Sequence, residues 1–346
     1  MASKTLVVNE AGICLSYIDS GAPSASPYVT IFAVHGMCFT NLIFKKVAKI
    51  FSDKGFRFVA VNRRNFRGSS PYTAEELAEL NTGNDEQKHD WLRSRGHEFA
   101  NFIAKFIQLN SLPQITPDNR SGGSVILGWS AGVSLSIAAL SNVESLSKDV
   151  QDCLSAHLRA FIAQEPAPLA LGLPSPTKNW APLRETSIPE GLRFKAFAHW
   201  ITSYFDHGDI SKQDFDSLSY VLASPLRPPS IYNMSTAETD EMLQLDQKST
   251  TDLPFFINLA NQLKAAYRKV FFDSATAELL PKMRITFVAG TMGPAFSPAG
   301  LWAVENDEKE AKTGRVNYKV VPGANHFVHW DDPEKAVEVY LECIDL

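Results

Sequence analysis

The sequence predicts an α/β fold, a mostly parallel sheet covered by helices on both faces. Three observations carry that reading. Short β-branched and aromatic runs alternate with longer segments of helical period. The alternation gives way to helices and Pro-rich turns for about a hundred residues after Glu165, then resumes. A Gly-x-Ser-x-Gly run, Gly128-Trp129-Ser130-Ala131-Gly132, lies between a strand pattern and a helix of small residues.

Taken in order, Thr5 to Val8 and Ile13 to Ile18 flank Glu10-Ala11-Gly12 and read as a hairpin. Tyr28 to Val34 has the near-continuous apolar character of a strand buried on both faces. Ile43, Val47, Ile50 and Phe51 fall at the spacing of a buried helical stripe. Phe58 to Val61 is a strand; a loop rich in Arg, Ser and Pro follows, then a helix with Phe99, Phe102, Ile103 and Phe106 on one side. Val125 to Leu127, Ala131 to Leu140 and Leu158 to Ala163 read as strand, helix, strand. Beyond Glu165, helical period recurs around Phe194 to Phe205, at Phe215, Leu218 and Leu222, and from Phe256 to Val270. Strands return at Ile285 to Ala289 and Tyr318 to Val321, and Asp332-Pro333-Glu334 opens a last helix with Asp as N-cap and Pro at its first position. The division expected is a core of 1–166 and 277–346 with a helical insert, 167–276, forming a cap.

Composition bounds the function. With 346 residues, 45% hydrophobic and 21% charged, the chain is an ordinary globular one, which excludes disordered, collagenous and coiled-coil readings. Thirty-three basic against 38 acidic residues give a net charge of −5, so no global field favours nucleic acid. Cys14, Cys38, Cys153 and Cys343 are scattered without a C-x-x-C pair, so neither a disulfide framework nor a zinc site is signalled. Met1 to Tyr17 lacks an apolar signal core, and the most apolar stretch, Val125 to Leu140, is too short and too broken by Gly and Ser to span a bilayer. The expectation is a cytoplasmic protein with no membrane partner. Neither G-x-G-x-x-G, a P-loop nor H-E-x-x-H occurs, so no cofactor and no metal is implied. A small-molecule substrate is expected, and oligomeric state leaves no trace in the sequence.

Three short motifs carry chemistry. In Gly128-Trp129-Ser130-Ala131-Gly132 a strand-to-helix turn would thrust Ser130 out at the sheet edge, with small flanking residues letting strand and helix approach: a nucleophile elbow. Val34-His35-Gly36-Met37 ends an apolar strand, where the Met37 amide can join that of Ala131 as an oxyanion hole. His35 itself reads as a structural loop histidine. Gly323-Ala324-Asn325-His326 follows the last strand, placing His326 as the base that takes the serine proton, with His329 as its competitor. Trp129, Cys38 and Phe39 neighbour this chemistry in sequence and are the expected substrate contacts.

Together these motifs, in this order and over nearly the whole chain, resemble the α/β-hydrolase fold superfamily. The insert after the sixth strand is similar to those of capped esterases, lactonases, carbon–carbon bond hydrolases and epoxide hydrolases. The serine nucleophile argues against the last of these, which use aspartate at the elbow. Most relatives carry a triad acid just after the seventh strand, yet Ala289-Gly290-Thr291-Met292-Gly293-Pro294 offers no carboxylate. The resemblance then implies the alternate position used by groups such as zearalenone lactonases and some haloalkane dehalogenases, after the sixth strand, where Glu165 stands. Glu305 and Asp307 are the other candidates. Asn62-Arg63-Arg64-Asn65-Phe66-Arg67-Gly68-Ser69 occupies the place of the family's Asp-x-Arg-Gly-x-Gly-x-Ser loop, with Asn65 and Arg67 where glycines are usual; its arginines are expected to be solvated or to meet an anionic substrate.

The expected activity is a serine hydrolase cleaving a mainly hydrophobic ester or lactone through Ser130, His326 and Glu165. Carbon–carbon cleavage or acyl transfer on the same residues, and a non-catalytic ligand-binding member of the fold, are the alternatives.

Overall fold

A computed structural model describes residues 1–245 and 251–345; residues 246–250, inside the expected insert, and Leu346, the expected end of the core, lie outside it. The chain opens with β1 (Lys4–Val7) and β2 (Cys14–Asp19), an antiparallel hairpin. Then come β3 (Thr30–Val34), α1 (Lys45–Asp53), β4 (Arg57–Val61), α2 (Ala74–Thr82), α3 (Asp85–Asn110), β5 (Ser124–Trp129), α4 (Gly132–Leu140), α5 (Lys148–His157) and β6 (Leu158–Gln164). Between β6 and the next strand run α6 (Glu190–Ile201), α7 (Thr236–Met242), α8 (Asp252–Asn258), α9 (Ala260–Phe272) and α10 (Ser274–Leu279), with three short 3-10 turns in the stretch between α6 and α7. The chain closes with β7 (Arg284–Gly290), α11 (Phe296–Ala311), β8 (Val316–Val321), α12 (Val328–Asp331) and α13 (Pro333–Cys343).

The eight strands form one sheet in the order β1-β2-β4-β3-β5-β6-β7-β8. From β4 to β8 every pairing is parallel, and β2 joins β4 antiparallel. Alternation along each strand sorts side chains between two cores. Phe32, Val34, Ile126, Phe161 and Phe287 pack against α3, α4 and α9. Ile31, Ala33, Val125, Leu127 and Ile162 face α1 and α13. A parallel sheet covered on both sides is what near-continuous apolar strands require.

Helix ends follow local chemistry. Thr73 with Glu76 and Asn84 with Gln87 form capping boxes at α2 and α3. Asp332 caps α13 by accepting from the Lys335 amide, and Pro333 follows it. One expected helix is absent: Phe215, Leu218 and Leu222 do not share a stripe. Asp209 and Asp214 side chains each bond a backbone amide two residues on, winding only 3-10 turns, and Leu222 is left exposed. The period around Phe194 likewise ends at Ile201, so Tyr204 and Phe205 lie beyond the helix.

Backbone approaches closely where α3 crosses α4. A Cβ on Gly96 would collide with the Ala138 carbonyl. Gly96→Ala should therefore destabilise the fold by about 1–3 kcal/mol, since backbone rather than a side chain must yield. Thermal unfolding checks this; an unchanged midpoint would contradict it.

Candidate active site

Ser130 leaves β5 with φ +54°, a left-handed conformation unusual for a residue with a side chain. The structure explains both flanking glycines. A Cβ on Gly128 would lie 2.9 Å from the Val133 Cα and the Ser136 Oγ, and one on Gly132 would collide with the Val34 carbonyl. Ser130 keeps its place by donating its amide to the Gln164 carbonyl at 2.8 Å. Strain of this kind, of order 1–3 kcal/mol, persists where surrounding structure over-determines it.

The structure joins His326 to Glu165. His326 Nδ1 lies 2.6 Å from Glu165 Oε2, with both side chains almost wholly buried. Glu165 Oε1 also accepts from the Gly290 amide and from Ser297 Oγ, the latter at 2.9 Å. A carboxylate taking these donors is an acceptor only, which puts the imidazole proton on Nδ1 and leaves the Nε2 lone pair free. Glu165 itself sits at φ +48° and donates its amide to the Val288 carbonyl at 2.8 Å. The end of β7, where no carboxylate stands, is shaped around it. A Cβ on Gly290 would come 2.9 Å from Glu165 Oε1, and one on Gly293 would come 3.2 Å from it.

Glu305 and Asp307 are engaged elsewhere on α11, with Gln213 at 2.6 Å and the Tyr267 hydroxyl at 2.9 Å. His329 is packed among Phe44, Trp129 and Phe327 and meets Gln164 Nε2 at 3.4 Å. Among the described residues no hydrogen bond joins Ser130 Oγ to His326. The two are linked through Trp129, which precedes the serine: its ring centroid is 5.1 Å from that of His326, and its Nε1 donates to the His326 carbonyl at 3.0 Å.

The loop after β3 lies against the elbow. A Cβ on Gly36 would be 3.0 Å from the Ser130 Cβ. The amides of Met37 and Ala131 have no acceptor among the described residues, and both residues line the chamber that holds Ser130. Phe39 N donates to Met37 O at 2.8 Å across Cys38, whose φ is +63°, so the loop closes in a strained γ-turn. His35 is buried, with Nε2 accepting from the Arg63 amide at 3.1 Å and Nδ1 donating to Gly36 O at 2.8 Å.

That chamber, with about 90 Å³ open to the centres of water-sized atoms, is chiefly apolar. Its walls come from the segment between β6 and β7 (Leu169, Leu183, Phe197, Trp200, Ile201, Leu253, Phe256) and from Phe296, Met37 and Ala131. Trp129, Cys38 and Phe39 are not on it. Trp129 is the strand residue before the elbow and points to the α1 face, and Cys38 and Phe39 are buried in the same core. Sequence adjacency did not give direction. The residues lining the chamber instead come from the helical segment, where apolar residues at helical spacing look alike whether they face a core or a cavity.

None of the arginines of the 62–69 loop lines the chamber, and only Arg67 is exposed to solvent as expected. Arg64 is enclosed by Glu76 at 2.8 Å and Glu98 at 2.9 Å, Arg63 forms a two-pronged pair with Asp252 at 2.6 and 2.8 Å, and Arg67 donates to the carbonyls of Asp240, Glu241 and Leu243. Asn65 takes the left-handed turn in place of glycine, at φ +67°.

Among the described residues no helix is long and apolar enough to cross a membrane. The sequence matches the model of the family described as "Alpha/beta hydrolase family" over residues 31–339. Solved structures of similar fold include a bromoperoxidase from Bacillus anthracis (12% identity, TM-score 0.51, all of both chains covered). An esterase from Exiguobacterium antarcticum is 12% identical with TM-score 0.51, covering 98% of each chain. Epoxide hydrolase A from Mycobacterium thermoresistibile is 12% identical with TM-score 0.52, covering 99% of this chain and 98% of its own. Identities this low show the fold alone. A search of curated protein sequences finds no match.

Burial holds the imidazoles of His35 and His329 well below the ordinary histidine value of 6.5, with the Arg63 charge adding to the effect at His35 and those of His326 and Lys46 at His329. An unfolded chain protonates each near pH 6.5 while the folded chain does not. Stability should therefore be full above about pH 7.5 and fall below it, by about 1.4 kcal/mol per histidine at pH 5.5. His329→Phe, which keeps the ring packing, should lessen the drop in melting temperature between pH 7.5 and 5.5; an unchanged drop would contradict this.

Proposed function

The chain belongs to the alpha/beta hydrolase family, and from that premise we propose that it is a serine hydrolase cleaving a mainly hydrophobic ester or lactone. The observation that carries this reading is the buried Glu165–His326 hydrogen bond beside a strained serine elbow. His326 Nε2 takes the proton of Ser130 as its Oγ attacks the carbonyl carbon, once side-chain rotation brings the two together. Glu165 holds the tautomer and stabilises the imidazolium that forms. The Met37 and Ala131 amides receive the developing oxyanion, for which they need no reorganisation. Collapse expels the alkoxide, which takes the proton from His326, and leaves an acyl group on Ser130. Water then attacks that acyl group with His326 as base, and the acid departs.

Residues 167–276 serve as the cap, and their apolar wall selects the substrate. An ester whose acyl or alcohol part is aliphatic or aromatic buries against Phe197, Trp200 and Phe256. No hydrolysis by way of an aspartyl ester follows, because the elbow residue is serine.

A fluorophosphonate should form an adduct on Ser130 of the folded protein, detected by peptide mass spectrometry, and Ser130→Ala should abolish both the adduct and aryl-ester turnover. Absence of an adduct, with Ser130→Ala as active as wild type, would contradict the proposal. Glu165→Gln should lower kcat about 10³-fold or more, and an unchanged kcat would remove Glu165 from the mechanism.

A further inference from the structure

We propose that Arg63, braced by Asp252, is the positioning residue that aims the Met37 amide into the oxyanion hole. The inference rests on the serine hydrolase reading and deepens it. The Gly36 carbonyl and the Met37 N–H belong to one peptide unit, and among the described residues the cis bond is elsewhere, at Ser26-Pro27. In a trans peptide these two groups point in opposite directions from one plane. Fixing the carbonyl therefore fixes the amide. Two donors hold that carbonyl: His35 Nδ1 at 2.8 Å and Arg63 Nη2 at 2.9 Å. The amide on the other side of the plane has no acceptor among the described residues, and Met37 lines the chamber beside Ser130.

Arg63 is built for this. Its own amide donates to His35 Nε2, which sets that ring to donate from Nδ1, so one residue governs both holds on the carbonyl. Its guanidinium has one prong shared between Gly36 O and Asp252 and the other given to Asp252 alone. Side-chain exposures of 11% and 6% leave the pair little competition from water. A bidentate fork fixes orientation as well as distance. Asp252 begins α8, and Leu253 and Phe256 of the same helix line the chamber. The helix that contacts substrate thus also braces the group that positions the oxyanion donor. The surrounding strain fits the role, since Cys38 at φ +63° is held in its turn by the Phe39 to Met37 bond and by the Gln244 amide on its carbonyl at 2.8 Å.

The test compares transition-state with ground-state binding. Arg63→Met alone strands the Asp252 carboxylate, so the informative variant combines Arg63→Met with Asp252→Asn. It should lower kcat on an aryl ester about 10- to 100-fold, as a displaced oxyanion donor does, with KM within about threefold of wild type. Affinity for a trifluoromethyl ketone, whose adduct with Ser130 places an oxyanion in the hole, should fall by the same factor as kcat. Arg63→Gln with Asp252→Asn keeps a side-chain donor for Gly36 O and should recover much of the loss. If the Met variant does not fold, Arg63→Lys keeps the charge opposite Asp252 without the fork and should show the same split between kcat and KM. Folded variants with wild-type kcat and ketone affinity, or with KM raised and kcat unchanged, would overturn the inference. A wild-type protein that neither reacts with fluorophosphonate nor turns over esters would overturn the underlying hydrolase reading instead.

Discussion

A single carboxylate in a dry interior organises this site. Glu165 is 1% exposed, and an ion there is tolerable only because it is fully hydrogen-bonded, by the Gly290 amide, Ser297 and His326. The need to seat it reaches outward. The backbone of Glu165 turns left-handed to send the side chain under β7, and β7 ends in glycine where a Cβ would crowd the carboxylate. Ser297, near the start of α11, ties that helix to the same charge. His326 is held in turn by its loop, where buried Asn325 donates to the Thr202 carbonyl and to Ser230 and accepts from the Phe327 amide. Glu165, His326 and the helical segment are thus parts of one hydrogen-bonded body.

A second polar body shares a small pocket with Ala131, the residue after the elbow serine. Arg64 and Arg95 share Glu76 and Glu98 beneath Tyr72 and Trp91, and Arg63 pairs with Asp252. Burial pushes the Glu98 carboxyl up despite two arginines and lifts the Tyr72 hydroxyl to about 12. Removing one member of such a group leaves an unpaired buried charge, which costs far more than the pair gains over apolar packing. These pairs are therefore weak as a source of stability and strong as a source of registry: they fix α3, the 62–69 loop and α8 relative to the Met37 turn. Ser130 itself lines the apolar chamber.

Much of this was legible in the sequence, for physical reasons that also mark the limits. The strands announce themselves because a sheet buried on both faces must be apolar throughout. The elbow announces itself because its turn tolerates only small neighbours, and the Gly132 contact with the Val34 carbonyl shows why. Glu165 was reachable by noticing that β7 ends without an acid; that its glycines make the room was visible only in space. Direction was not legible. Trp129, Cys38 and Phe39 sit beside the chemistry in sequence and face away from it. Arg63 and Arg64 resembled solvated charges because their partners Asp252 and Glu98 are 189 and 34 residues distant, whereas Arg67 is exposed as expected. The stripe of Phe215, Leu218 and Leu222 failed because aspartate side chains captured the backbone before a helix formed.

The central claim is that Glu165 fixes the proton of His326 on Nδ1, leaving Nε2 to face the serine. Nitrogen-15 NMR of histidine-labelled protein reads this directly. His326 should carry its proton on Nδ1, with a strongly downfield proton resonance that disappears in Glu165→Gln and survives in Ser130→Ala. A His326 protonated on Nε2 in the wild-type protein, or an Nδ1 resonance indifferent to the loss of the carboxylate, would contradict it.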